Sequence, residues 1–520
     1  MSSPAAAGAP GRFARAMECW AEPRAVVAIL AVYFAVMAVA LAVFAPSGHF
    51  DDTVALQDAQ SFQWGYEAKS PPLFVWLARA MMLATGPRIE TVFALRMACL
   101  FAAFAGLYMI ARRVQPDPLL AAGAGLAMLA TLHLHWYFLD KYTNTALALA
   151  MMPYAVLAFF RLHGRRGPSS YALFGGIAGV GLLSRYHFAV LLAAMAMAAL
   201  GNRKWRAVLL DRRMILALAI AGVIAAPHLA WFAARWPALA GDVQFAVGFD
   251  GAADPVSAAL SGLRNLSEEA LSILIFPLGV LLLGLLWPAL GRARVADPDR
   301  QADLAFLRDT VIWSLVLMAL FALAGASRIR SRHLFFLALL PLWMIGRLDA
   351  ARLRRFAAPA FLLAIHLALA GAALGFAIKG WIYAVRCTGC DKVLTFADYA
   401  EAIRRAGFRG GTIVLSREMS RGAILRAYFP GSRVVQDFQY QKRRVPLRDG
   451  EGRDCVFVWR KVSPDLVGAR FERGAPVPGV GLPLPSHAVF GSAPGRIALS
   501  GRPAVTLGFA LVKGGLGTCR

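Results

Sequence analysis

YALFGGIAGVGLLSRYHFAVLLAAMAMAAL, residues 171–200, decides how the rest of this chain is read. As one helix it is a single long apolar span. Broken at Ser184, Arg185 and Tyr186 it becomes two, 171–185 and 187–200, and every later segment changes side. The choice matters because similar runs of roughly 15 to 24 mostly apolar residues recur along the first 380 positions, and about 20 residues cross the hydrocarbon of a bilayer. With the break, spans fall near 25–45, 91–111, 118–138, 143–160, 171–185, 187–200, 214–234, 270–290, 309–325, 334–346 and 356–378, eleven in all. With the N-terminus cytoplasmic, the inner segments then carry 21 Lys and Arg and the outer connections 10. That is the asymmetry of positive charge expected of membrane proteins, so it supports the break at Arg185.

Composition agrees. The 520 residues are 59% hydrophobic and only 16% charged, with a mean hydropathy of +0.57. A soluble globular chain is less apolar and more charged, so this is a polytopic membrane protein, and disorder, collagen, coiled coil and a small disulfide scaffold are excluded. The formal charge of +25 would suggest nucleic acid in a soluble protein. Here the basic residues mostly flank apolar spans, so topology explains them and no nucleic-acid partner is expected. The first span ends LAVFAPSG like a signal peptide, but its apolar run of about 21 exceeds the 7 to 15 of a cleaved leader, which favours an uncleaved anchor.

An odd span count puts the C-terminus outside. Residues 1–24 are then a cytoplasmic tail, 25–380 a membrane domain and 386–520 a soluble extracytoplasmic domain. In the last, DYAEAIRRAGF reads as an amphipathic helix, GGTIVLS as a strand, RGAILRAYFPGSRVV as helix then strand and CVFVWRKV as a strand, a small α/β unit with a Gly- and Pro-rich tail from about 465 that is irregular or β. Its 22 basic and 10 acidic residues suit a surface near anionic lipid or glycolipid phosphate, or a solvated basic face.

The informative outer connection is 46–90. It opens on Asp51 and Asp52 and runs DTVALQDAQSFQWGYEAKSPPLFVWLARAMML, with amphipathic helical stretches on both sides of a Gly-Tyr turn and Pro71-Pro72. Adjacent carboxylates beside a membrane span are costly unless a cation, a cavity or a reaction uses them; the plainer alternative is a hydrated helix end with an Asp cap. A second signal is Ser327-Arg328-Ile329-Arg330-Ser331-Arg332-His333, where three Arg and a His gather at an outer boundary that topology would keep free of positive charge. Arg suits bidentate contact with phosphate. With Lys69, Lys141 and Arg185 on the same face, carboxylates and cations together describe a site that deprotonates an acceptor and stabilises a phosphate leaving group.

These residues resemble a known family. Asp51-Asp52, followed fourteen residues after Asp51 by Gly65-Tyr66 and then Lys69-Ser70-Pro71-Pro72-Leu73, is similar to the first outer loop of bacterial glycosyltransferase family 39 relatives. Their GT-C fold serves protein O-mannosyltransferases, the lipid A aminoarabinose transferase and lipopolysaccharide galacturonosyltransferases. Lys141-Tyr142-Thr143-Asn144-Thr145, Gly181 to Tyr186, Pro227-His228-Leu229-Ala230-Trp231 and Arg332 ahead of a Pro341-containing span extend the likeness, in order, over residues 25–350. The resemblance implies inverting transfer of a sugar from a polyprenyl-phosphate donor to an envelope glycolipid, glycan or protein acceptor at the bacterial inner membrane. It implies Asp51 as general base, Asp52 as a second acidic position, and Lys69, Arg185 and Arg332 as phosphate contacts. Arg328, Arg330 and His333 join them by proximity, with Asp140, Lys141, Tyr66 and Tyr186 as further candidates. No cofactor is required with certainty, and a divalent metal is admitted. Departures are Val54 and Ala55, where relatives carry an acidic or aromatic residue, and Arg185-Tyr186-His187 in place of a Lys-Tyr-aromatic run.

Other signals carry less. His133 and His135 are two apart and point to different faces of a helix. Arg96, inside the second span, is equally well a structural ion pair, and Asp140 a partner for a neighbouring lysine. Cys387 and Cys390, with Cys455 and Cys519, suit structural disulfides outside the cytoplasm, a four-Cys zinc site being the alternative. The absence of GxGxxG after a strand and of GxxxxGK[ST] fits a donor without a nucleotide. A transporter or flippase for lipid-linked sugars would also want such a face, although no internal repeat is evident. A non-catalytic binding module is the third class.

Overall fold

A computed structural model describes residues 19–130, 138–249, 254–286, 295, 297–348, scattered positions of 366–385, then 390–436, 454–461 and 485–514. Helices α1 (Pro23–Phe44), α2 (Phe50–Asp58), α3 (Leu73–Thr85), α4 (Ile89–Val114), α5 (Pro118–Ala127), α6 (Thr143–Gly164), α7 (Pro168–Ser184), α8 (Phe188–Gly201), α9 (Arg203–Leu209), α10 (Met214–Ala234), α11 (Trp236–Val247), α12 (Pro255–Leu286), α13 (Pro298–Leu323) and α14 (Leu339–Ile345) build the membrane portion. Among the described residues α1, α4, α6, α10 and α13 are long and apolar enough to cross a bilayer. Pro23, Pro118, Pro168, Pro255 and Pro298 each open a helix, where the missing N–H was unpaired anyway.

The break read at 184–186 is present. Arg185 is extended at φ −161°, ψ 139°, and the Ser184 hydroxyl donates to the Gly181 carbonyl at 2.5 Å. A Cβ on Gly181 would lie 2.1 Å from the Phe188 ring, so α8 can fold back beside α7 only over a glycine. The same device joins α7 to α10, where a Cβ on Gly175 would meet the Ala217 carbonyl at 2.3 Å. Small residues let two backbones approach without any hydrophobic drive from lipid.

The span placed at 270–290 belongs to a longer helix starting at Pro255, because its polar first half, Ser257 to Glu269, is helical too. The Asp254 carboxylate accepts from the Ser257 N–H at 3.2 Å and caps it. The span placed at 334–346 is two 3-10 turns, Ser331–His333 and Phe335–Ala338, leading into α14. The span at 356–378, the end of that at 118–138, His133, His135, Cys387 and Cys519 lie wholly or largely outside the described residues.

The C-terminal portion is a sheet of β1 (Leu394–Thr395), β2 (Thr412–Leu415), β3 (Arg433–Gln436), β4 (Cys455–Lys461), β5 (Val489–Ile497) and β6 (Pro503–Val512) in the order β1-β5-β6-β4-β2-β3. Strand β2 runs parallel to both β3 and β4, and the other pairings are antiparallel. Helices α15 (Ala397–Arg405) and α16 (Leu425–Tyr428) complete it. The expected first helix is present as α15, the second as a 3-10 turn (Arg417–Ile424) running into α16, and the three expected strands as β2, β3 and β4; β1 was not expected. The tail beyond 465, where described, is the β5–β6 hairpin, and Cys455 is disulfide-bonded.

Candidate active site

The site begins with how α2 starts. His49 is the N-cap, and the Asp52 carboxylate accepts from the His49 N–H at 2.9 Å, so the turn is closed by a side chain three positions on. Successive helical residues point about 100° apart, and the two neighbouring carboxylates separate. Asp52 turns inward to a fully buried ion pair with Arg96 of α4. Asp51 faces an open pocket lined by Asp58, Tyr66, Lys69, Tyr142, Arg185 and Arg332 among others.

Three cations surround the Asp51 carboxylate. Lys69 comes from the loop before α3, Arg185 from the α7–α8 break and Arg332 from the 3-10 turn before α14. An oxygen of Asp51 also accepts the Tyr142 N–H at 3.2 Å. Burial is the largest influence on this carboxyl and pushes its pKa up, but His49, Lys69, Arg332 and Arg185 outweigh it and the result is lowered. His49 is itself brought down to about 4, chiefly by burial. It is therefore neutral near pH 7, and Lys69, Arg332 and Arg185 are what hold Asp51 ionised there.

Of the residues singled out in the sequence, the pocket gathers Asp51, Lys69, Tyr66, Arg185 and Arg332. It does not gather the rest. Asp52 serves the helix cap and the pair with Arg96. Arg328 donates to the Phe245 carbonyl at 2.8 Å with its guanidinium 3.9 Å over that ring. Arg330 lies 3.9 Å from Glu269, and His333 stacks on His187 at 4.2 Å between centroids. Arg328, Arg330 and Arg332 are therefore not one cluster, because an irregular segment leading into a 3-10 turn sends them in different directions, while His333 Nε2 accepts from Arg332 Nε at 3.2 Å. Asp140 pairs with Lys392 of the sheet domain at 2.5 Å. Lys141 lies one residue from the pocket lining. The Tyr186 hydroxyl meets His228 Nε2 at 2.9 Å, and His228 Nδ1 meets the Trp64 carbonyl at 2.8 Å, tying the loop between α2 and α3 to α10.

Polar lining residues to which the sequence reading gave no role include Asp58, Glu67, Tyr142 and Asn144. Asp58 is two turns beyond Asp51 on one face of α2, a spacing that was there to be read. Glu67 pairs with Lys69 at 3.3 Å. Asn144 stood in a quoted motif without a role. Among the described residues no three His, Cys, Asp or Glu side chains converge as a metal site.

This arrangement, a bundle of apolar helices with a carboxylate-and-cation pocket and a C-terminal sheet domain, is that of the GT-C fold. The chain superposes on the crystal structure of ArnT from Cupriavidus metallidurans bound to undecaprenyl phosphate with a TM-score of 0.56 at 15% identity, covering 93% of this chain and 97% of that one. The apo form of that protein gives 0.54, with 95% and 98% covered. Residues 69–231 match the family model described as dolichyl-phosphate-mannose-protein mannosyltransferase. The chain is 28% identical to the lipopolysaccharide core galacturonosyltransferase RgtA of Rhizobium johnstonii over 442 residues, 83% of this chain and 86% of that protein. It is 26% identical to RgtB of the same organism over 427 residues, 78% and 83% of the two chains. The resemblance drawn from the loop motif is matched by these comparisons: the chain is similar in sequence to two lipopolysaccharide core galacturonosyltransferases and similar in fold to ArnT.

Proposed function

We propose that this chain transfers a uronosyl group, galacturonosyl in the first instance, from a polyprenyl-phosphate donor to a lipopolysaccharide-type envelope glycolipid, with inversion at the sugar carbon. The observation that carries this is the pairing of Asp51, held ionised, with Lys69, Arg185 and Arg332 around one pocket. The near full-length likeness to two lipopolysaccharide core galacturonosyltransferases supports the choice of sugar and acceptor over another glycan or a protein.

Asp51 takes the proton of the acceptor hydroxyl as that oxygen bonds to C1 of the sugar. The bond from C1 to the phosphate oxygen breaks, and the electron pair leaves with polyprenyl phosphate. The three cations neutralise the second negative charge that the phosphate gains, a stabilisation larger in the transition state than in the bound donor. In this reading the chain crosses the inner membrane eleven times, residues 1–24 are cytoplasmic, 25–380 form the membrane domain, and 386–520 lie on the periplasmic side with the pocket.

The test is transfer of radiolabelled sugar from polyprenyl-phosphate galacturonate to core glycolipid by membranes containing the wild-type chain. Labelled glycolipid is expected. Label that crosses to the other leaflet without becoming attached would point to a flippase instead.

A further inference from the structure

Helix α2 is nine residues long. A helix of that length is marginal in water, so its position depends on its tertiary contacts: the Asp52–Arg96 pair along its length and whatever holds its ends. Both ends are held by the sheet domain, more than 340 positions away in sequence. Before the helix, the Ser47 N–H donates to the Lys392 carbonyl at 3.0 Å, the Ser47 hydroxyl donates to the Leu394 carbonyl at 2.5 Å, and Arg421 Nε donates to the Gly48 carbonyl at 3.2 Å. At its far end, buried Arg426 donates to the Leu56 carbonyl at 2.5 Å, one of the last-turn carbonyls that lack a helical partner and favour a cation.

Beyond the end, Gln60 acts as an added rung on the edge strand β3. Its amide nitrogen donates to the Val434 carbonyl and its amide oxygen accepts the Val434 N–H, both at 2.8 Å. Among the described residues none of the pocket lining comes from the sheet domain. Besides the Lys392–Asp140 pair, its polar contacts with the helical portion include these at the two ends of the helix that carries Asp51.

We propose that the sheet domain is the clamp that positions Asp51, with Gln60 and Arg426 as positioning residues for the transfer reaction assigned above. Among its described residues the domain contributes no group to the pocket. It fixes the axial position and rotation of α2, and so the direction of the carboxylate between Lys69, Arg185, Arg332 and the Tyr142 N–H. A displacement of about 1 Å in such a group costs on the order of 100-fold in rate.

The experiment uses the full chain in detergent, comparing wild type with Gln60→Ala and, as a milder variant, Ser47→Ala. Gln60 does not titrate and lies outside the pocket, so it cannot act on Asp51 through charge. The expected result is kcat lowered about 10- to 100-fold with donor KM within about twofold. The acid limb of kcat/KM moves to higher pH as Asp51 drifts from Lys69, Arg185 and Arg332, with His49, Asp52, Asp58, Glu67 and Tyr142 the other titratable groups around it. Amide hydrogen exchange over residues 50–58 also rises in both variants. Fewer folded molecules would lower the rate without moving the limb. An unmoved acid limb, or unchanged exchange over 50–58, overturns the proposal. If wild type transfers no sugar the assigned reaction fails, while the exchange comparison still decides the clamp.

Discussion

The backbone N–H of Tyr142 donates to the Asp51 carboxylate at 3.2 Å from a residue in the left-handed region, φ 68°, ψ 62°. Tyr142 is the one non-glycine residue with positive φ among the described residues. An L residue with a bulky side chain holds that conformation at a cost of about 1–2 kcal/mol, and such strain concentrates where function needs it. Glycine would adopt the same backbone freely. The tyrosine supplies what glycine cannot, a ring on the pocket wall.

Tyr142→Gly therefore keeps the N–H aimed at Asp51 and loses the ring. Its thermal stability in detergent should stay within about 1 kcal/mol of wild type, relief of strain offsetting the greater freedom of the unfolded chain, while transfer falls. Tyr142→Val, β-branched and worse in the left-handed region, should lower stability by about 2 kcal/mol. Equal melting of the Val variant and wild type would remove strain from the account.

Asp52 and Arg96 are expected to matter for folding. Each side chain is fully buried, and removing one partner of such a pair leaves an uncompensated charge at a cost of about 3–5 kcal/mol. Arg96→Met should melt far below wild type, and adding Asp52→Leu should restore much of the loss. A double-mutant cycle by thermal unfolding reads this directly; additive losses would contradict it.

The pH dependence follows from Asp51. Its carboxyl is held below the ordinary value, so the base is ionised across neutral pH and the rate falls only as pH drops through that lowered value. Lys69→Met removes one of the cations that lower it, so the acid limb of kcat/KM should move to higher pH. A limb that stays in place would remove Lys69 from the neighbourhood of the base.

Much of the fold was legible because membrane spans and charge asymmetry are local signals. The break at Arg185 could be read from counting Lys and Arg alone. The start of α12 at Pro255 could not, since its first half is polar and a hydropathy reading begins where the apolar run does. In the site, Asp51, Lys69, Arg185 and Arg332 were readable as residue types on one face. What separates Asp51 from Asp52 is the rotation of one helical step together with Arg96 on another helix, and that partner is invisible in sequence. The run 327–333 misled for a related reason: adjacency in sequence put four cationic candidates together, and the turn sent Arg332 alone into the pocket. Nothing in the sequence signalled a left-handed tyrosine or a sheet domain hydrogen-bonded to both ends of α2.

The most direct measurement is transfer of labelled uronosyl from polyprenyl phosphate to core glycolipid by Asp51→Asn, beside wild type, at equal expression and equal melting temperature. The account predicts that Asn, an isostere that cannot take a proton, lowers transfer by about 100-fold or more. Transfer at the wild-type rate would contradict it and take Asp51 out of the chemistry.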